Sequence, residues 1–405
     1  MMNKQLEILS PAGNLEKLKT AFQYGADAVY CGMERFSLRA AADNFTFDEL
    51  CEGIALAHKN KKKVYIAANT ILHNADLEEF RNMCERAAYA GADALILSDL
   101  GAFELALEFK DKLDLHISTQ ASNTNYFAVN AWHRMGAKRI ILARELSLDE
   151  IAAIRRHVSD ELEIEMFVHG AMCVSYSGRC LLSNYLVLRD ANRGECAQPC
   201  RWKYYLTEEK RPGERLEIAE NEEGTFLFNS KDLCLIKYIP EIAQAGVNSL
   251  KIEGRMKSPY YVAIVTKAYR QAVDRYLDDG GHAGDELYQE LCKVSHRSYY
   301  TGFALGRPEE DGQIYESSSY IREYDIVGVV KSVGDGTAWV EQKNRFFLGD
   351  EVEVVPPFGS YYIQKIHWML NEDGQQINVA PHARMKVKIP LQQHVPPGTI
   401  LRKKV

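Results

Sequence analysis

The sequence predicts a (β/α)8 TIM-like barrel followed by a small β-barrel domain, and three observations carry that prediction. First, four segments repeat one theme: YGADAVYCG at 24–32, AGADALILSD at 90–99, MGAKRIILAR at 135–144 and AGVNSLKIEG at 245–254. Each closes an amphipathic helix with a glycine suited to the left-handed C′ position, then enters a short apolar run that reads as a buried strand. Second, the other short apolar runs bring the strands to eight, near 6–11, 27–32, 63–69, 92–99, 113–119, 138–144, 163–169 and 249–254, with helical patterns between nearly all of them. Third, beyond about 320 the pattern changes to short alternating strands punctuated by Gly and Pro: YDIVGVVKSV, GTAWVEQ, GDEVEVVPP and ARMKVKIP.

The expected domains are a barrel over 1–305, a linker over 306–320 and a small β-barrel over 321–405. About 80 residues separate the seventh and eighth strands, far more than an ordinary βα loop, so an insertion is expected at about 171–235. After strand eight, Ser258-Pro259 makes a good N-cap and N1 pair for a helix through YYVAIVTKAYRQAVDRY.

With 46% hydrophobic and 26% charged residues, the 405-residue chain has the balance of an ordinary globular protein with room for a large core. Its formal net charge of −7 argues against wholesale coating of a nucleic acid, and the HKNKKK run at 58–63 reads as a solvated helix end. No run of eighteen apolar residues occurs, so no membrane association is expected. The start MMNKQLEILSPAG lacks an apolar stretch behind a basic one, so the expected location is the cytoplasm, where structural disulfides are rare.

Five of the nine cysteines cluster in the insertion: Cys173, Cys180, Cys196 and Cys200 within 28 residues, then Cys234. The spacing is not the paired CxxC…CxxC of a zinc ribbon, and an iron–sulfur cluster on four thiolates fits better, with zinc as the alternative. Cys51, Cys84 and Cys292 sit in helical patterns and read as inert core thiols. Loops that follow barrel strands form the active face, which places the cysteine group beside the barrel mouth.

Alternation along the strands assigns charged side chains to the barrel interior, where a reason for them is needed. In SLKIEGR, Leu250 and Ile252 face the helices while Lys251, Glu253 and Arg255 point inward; in EIEMFVHG, Glu165, Phe167 and His169 share one face; in DLHISTQ, His116, Ser118 and Gln120 do. A buried ion pair between Glu165 and Lys251 is the plain alternative for the deeper positions. The first two βα loops carry SPAGN, beginning at Ser10, and CGMERFSLRAAADNF, with Arg35 and Arg39, and Arg144 ends strand six. Arginines converging from separate loops imply an anionic substrate. RWKYY at 201–205, with Arg201, Trp202 and Lys203, and HRSYY at 296–300, with Arg297 and Tyr299, interleave basic and aromatic residues as RNA-binding stretches do, although core packing is the commoner use of such aromatics.

The stretch EMFVHGAMCVSYSGRCLLS at 165–183 resembles the signature of the collagenase-like peptidase family, and SPAGN, FSLRAAADNF, NRGECAQPCRWKY, SKDLC and SLKIEGRMKSPYYV extend that resemblance over residues 6–305. The similarity is strongest to a subgroup that makes 5-hydroxyuridine at the tRNA wobble position with prephenate as hydroxyl source. The resemblance implies tRNA and prephenate, or a similar small dicarboxylate, as partners, a partner protein of the same family, and a 4Fe-4S cluster on Cys173, Cys180, Cys196 and Cys234, with Cys200 the competing ligand. On this reading Arg39, Arg144, Arg255, Ser10 and Gln120 bind the small acid, while His169, Glu253 and Glu165 are the catalytic candidates. A metal-dependent peptidase using His169, Glu165 and zinc is the second reading, although HExxH and GxSxG are both missing from the sequence. A non-catalytic RNA-binding module is the third.

Overall fold

The computed structural model describes residues 6–38, 44–173, 175–202, 205–206, 216–217, 230–308 and 320–405. Seven parallel strands follow one another around a barrel: β1 (Glu7–Pro11), β2 (Ala28–Cys31), β3 (Lys63–Ala67), β4 (Ala94–Leu97), β5 (Asp114–Ile117), β6 (Arg139–Ile141) and β7 (Glu163–Ala171). A short strand, β8 (Asp232–Cys234), lies outside the barrel, antiparallel to the end of β7. The eighth barrel strand, β9 (Ser249–Ile252), pairs in parallel with both β1 and β7 and closes the cylinder.

The helices begin where the sequence supplies caps. Asn14 caps α1 (Leu15–Gln23) by accepting from the Lys17 N–H, and Thr46 with Glu49 forms a capping box on α2 (Phe47–Lys59). α3 (Leu77–Ala90) and α5 (Tyr126–Met135) end on Gly91 and Gly136 at φ of 82° and 116°, a conformation that costs other residues strain. Between and after them run α4 (Leu100–Ala106), α6 (Leu148–Arg155), α7 (Leu182–Val187) in the cysteine insertion and α8 (Ile239–Gln244). Ser258 caps the long α9 (Pro259–Asp279), whose apolar face lies against β1 and α1; α10 (Asp285–Cys292) follows.

Two layers fill the barrel. The apolar part is small, Leu9, Ala28, Tyr30, Tyr65, Ala94, Ile96 and Ile141. The floor is a charge network: Arg139 reaches Glu7 at 2.6 Å and Glu165 at 3.0 Å, and Lys251 meets Glu165 at 2.8 Å. Burial works against ionising Glu7, yet Arg139 more than offsets it and holds the carboxyl below its ordinary range. The larger core lies outside the strands, where Leu250 and Ile252 are packed with α9 residues.

The expected alternation fails at one place in β7. Lys251 pairs with Phe167, but Ile252 pairs with His169, so Val168 is an extra residue in the ladder. The slip turns His169 to the outer side with Ile252, against α9.

Residues 320–405 form an antiparallel half-barrel of six strands with its own core, including Val327, Val340, Val354 and Ile389. It is held to the barrel by polar anchors. Arg402, fully buried, binds Glu290 of α10 at 2.7 Å and Glu353 at 2.7 Å, Lys267 of α9 donates to the Pro356 carbonyl at 2.6 Å, and the Tyr24 hydroxyl meets the Val355 carbonyl at 3.0 Å. The expected linker at 306–320 lies mostly outside the described residues, as does much of the insertion beyond Trp202.

Candidate active site

A cavity of about 740 Å³ opens at the C-terminal mouth of the barrel. Its floor is Lys251 above Glu165, with the Lys251 ammonium over the Tyr30 ring at 4.6 Å and the Phe167 ring at 5.4 Å. Its walls bring Asn69, Ser118 and Gln120 from the loops after β3 and β5, Glu253 and Arg255 from the end of β9, and Tyr320, Arg322 and Tyr324 from the C-terminal domain. Cys173, Cys180, Cys196 and Cys200 line the same cavity.

The Tyr30 hydroxyl donates to the Ile252 carbonyl at 2.9 Å and stands 3.3 Å from Glu253 Oε2, which places that carboxylate over the mouth. Arg255 is buried, its guanidinium bonded to Ser37 Oγ. A Cβ at Gly32 would come within 2.7 Å of Ser37 Oγ and 2.8 Å of Arg255 Nη1, so this pair would have to shift. With Lys251, Arg255, Lys257 and Arg322 facing Glu253 and Asp325, cations outnumber carboxylates around the space. A small anion is favoured in such a site.

The five clustered thiols separate. Cys234, on β8 opposite His169, is buried away from the cavity, and burial pushes its thiol up to about 12. Cys200, with Cys173, Cys180 and Cys196, lines the cavity, and Cys234 does not. Among the described residues, no three His, Cys, Asp or Glu side chains are gathered tightly enough to hold one metal ion. Thiols are the donor type that an iron–sulfur cluster takes, and four of them line this one cavity.

Arg144 lines the cavity at the end of β6, as expected, and is also held by the insertion. Its Nη1 donates to the Ala171 carbonyl at 3.1 Å and its Nη2 to Ser177 Oγ at 2.8 Å, tying the loop that carries Cys173 to the barrel. Burial opposes its charge, and the neighbouring Cys173 more than offsets that.

Several expected positions are corrected by the fold. Ser10 is fully buried on the outer face of β1, sharing a 2.7 Å hydrogen bond with Thr266 of α9, because it precedes the mouth by a residue of the wrong parity. His169 is enclosed by Tyr269 and Tyr299, whose hydroxyls lie 3.5 and 3.4 Å from its ring nitrogens, and burial drives its pKa down to about 3. Glu165 is committed to the floor ion pairs. Arg297 is buried and bonded to the Ser230 carbonyl, and Tyr299 stacks on His296 at 4.4 Å, so neither is presented to an RNA. Trp202 is exposed; Arg39 and Lys203, and the side chain of Arg201, lie outside the described residues. Arg35 pairs at the surface with Glu79.

Sequence reading passed over Tyr30, Asn69, Lys257, Tyr320 and Arg322. The first two were legible from strand parity; the others reach the mouth only through the packing of α9 and the C-terminal domain.

A closed parallel barrel with a thiol-lined mouth and an attached antiparallel half-barrel defines the class of protein. Residues 13–314 match the model for peptidase family U32 and residues 322–402 the model for the U32 C-terminal domain, and the chain belongs to that family. It is 38% identical to tRNA hydroxylation protein P1 of Bacillus subtilis over 100% of this chain and 96% of the relative. It is also 38% identical to tRNA hydroxylation protein P of Escherichia coli, over 96% of this chain and 94% of the relative. A collagenase of Porphyromonas gingivalis is 31% identical over 97% of this chain and 96% of the relative. No helix among the described residues is long and apolar enough to cross a membrane.

Proposed function

We propose that this chain is a tRNA-modifying enzyme that hydroxylates the wobble uridine to 5-hydroxyuridine, taking the hydroxyl from prephenate. The observation that carries the reading is the meeting, in one cavity, of four thiols with Lys251, Arg255, Lys257 and Arg322. The names of the two tRNA hydroxylation relatives supply the substrate class. Thiols suit an iron–sulfur cluster and the cations suit a dicarboxylate.

Cys173, Cys180, Cys196 and Cys200 would hold a 4Fe-4S cluster, whose chemistry when bound is electron exchange and polarisation of oxygen. The chain's own groups do the rest. Arg255 and Lys257 bind the carboxylates, Lys251 supplies positive charge from below, and Glu253 takes or returns a proton beside the Tyr30 hydroxyl. Arg144 keeps the Cys173 loop in place.

A peptidase centre built on His169 and Glu165 has no support in this geometry, because Val168 turns His169 outward while Glu165 stays in the barrel. Deleting the gene should remove 5-hydroxyuridine and its derivatives from digested tRNA, and blocking prephenate synthesis should do the same. An unchanged nucleoside profile, together with cleavage of denatured collagen by the purified protein, would overturn the reading.

A further inference from the structure

Exposed apolar side chains gather in one short part of this surface. Tyr176, Leu181, Tyr185, Leu186, Leu188 and Trp202 are all at least 44% exposed, with Tyr185 at 79% and Leu188 at 87%. Tyr185 and Leu186 lie on α7 and Leu181 and Leu188 flank it, all four exposed, while Ser183 holds the inner side of α7 by accepting from the Ala197 N–H at 3.1 Å. α7 packs against the turn Pro199–Arg201, which brings Trp202 beside it. An apolar surface of this kind, left in water, marks a place where something binds.

Charge and position identify the occupant. Of the arginines in residues 175–202, Arg193 is paired with Asp76, but Arg179 and Arg189 are exposed on this surface, in a chain of net charge −7. The surface runs into the cavity, since Tyr176 is both exposed and part of the cavity wall with Cys173 and Cys180. A base that enters the mouth must leave its stack, and its neighbours then need aromatic faces at the rim.

We infer that the α7 surface, through Tyr176, Tyr185 and Trp202, is the platform on which the unpaired nucleotides flanking the reacting base stack, with Arg179 and Arg189 on their phosphates. This rests on the reading of the chain as a tRNA hydroxylase and assigns the RNA to a surface outside the cavity.

The test uses the full chain and a synthetic anticodon stem-loop RNA with uridine at the wobble position, titrated by fluorescence anisotropy at several salt concentrations. Tyr185→Ala and Trp202→Ala should each weaken binding roughly 10-fold without changing the salt slope, as loss of stacking does. Tyr185→Phe should restore it. Arg189→Gln should reduce the slope by about 1, as loss of a phosphate contact does. Tyr89→Ala, exposed on α3, is the control for surface aromatics. Unchanged affinity in both alanine variants, with circular dichroism confirming the fold, would overturn the inference. So would conversion of an oligomer to a monomer by Tyr185→Glu with RNA affinity intact, which would make the surface an interface between copies. Nucleoside analysis of the deletion strain separates either failure from a failure of the hydroxylase reading.

Discussion

Arg193 places two guanidinium nitrogens on the two carboxylate oxygens of Asp76, at 2.8 and 3.1 Å. Asp76 sits just before α3, in the loop after β3, and Arg193 is three residues before Cys196, so this pair fastens the thiol-bearing insertion to the barrel. The arginine hydrogen bonds are the main reason the Asp76 carboxyl is held down at about 2. Arg193→Ala should cost about 1 kcal/mol at most in global stability, since the pair is partly solvated, but should open residues 175–202 to limited proteolysis. Equal cleavage rates in variant and parent would remove this anchoring role.

The cavity wall makes a specific statement about the thiols. After anaerobic purification, Cys200→Ser should lose iron, sulfide and the broad visible absorption of a thiolate-ligated cluster, whereas Cys234→Ser should keep all three. The opposite pattern would return Cys234 to the ligand set. Colourless parent protein with stoichiometric zinc would sink the cluster altogether.

Glu165 is the counter-ion for Lys251 on the barrel floor. Glu165→Leu should destabilise the fold by about 3–5 kcal/mol in urea titration, because it leaves a buried ammonium unpaired. Adding Lys251→Met should recover most of that loss. If the double variant were no more stable than the single, the network would not be the floor's organising interaction.

His169 sets an acid limit on stability. In the fold it stays neutral down to about pH 3, whereas the freely hydrated imidazole takes up its proton near 6.5. The unfolded chain therefore binds more protons between those values, and stability falls as pH drops through that window. His169→Phe should flatten the dependence of Tm on pH between 6.5 and 4; a slope matching the parent's would show that other groups govern it.

Arg255 lines the cavity beside Glu253. Arg255→Ala should weaken use of the small acid by about 1.5–3 kcal/mol, the range for a charge-assisted hydrogen bond. Steady-state kinetics with varied acid concentration would show it as a rise in KM. An unaltered KM would place the acid elsewhere in the cavity.

Read from the sequence alone, the helix–glycine–strand repeats, the other short apolar runs and the alternating segments beyond 320 were enough to determine an eight-stranded barrel with helices and a C-terminal β unit, because the periods of 3.6 and 2 report which faces are buried. The same parity put Lys251 and Glu253 on the inner side of β9. Parity cannot register an extra residue, however, so only the paired ladder showed that Val168 turns His169 out of the barrel. Nor can spacing along a chain tell which of five thiols line one cavity. Cys200 joins the other three, and Cys234 leaves them, because β8 is paired to β7 outside the barrel. Tyr320 and Arg322 reach the mouth for a similar reason: Arg402, Lys267 and Tyr24 hold the C-terminal half-barrel in place through long-range polar contacts that no local pattern encodes.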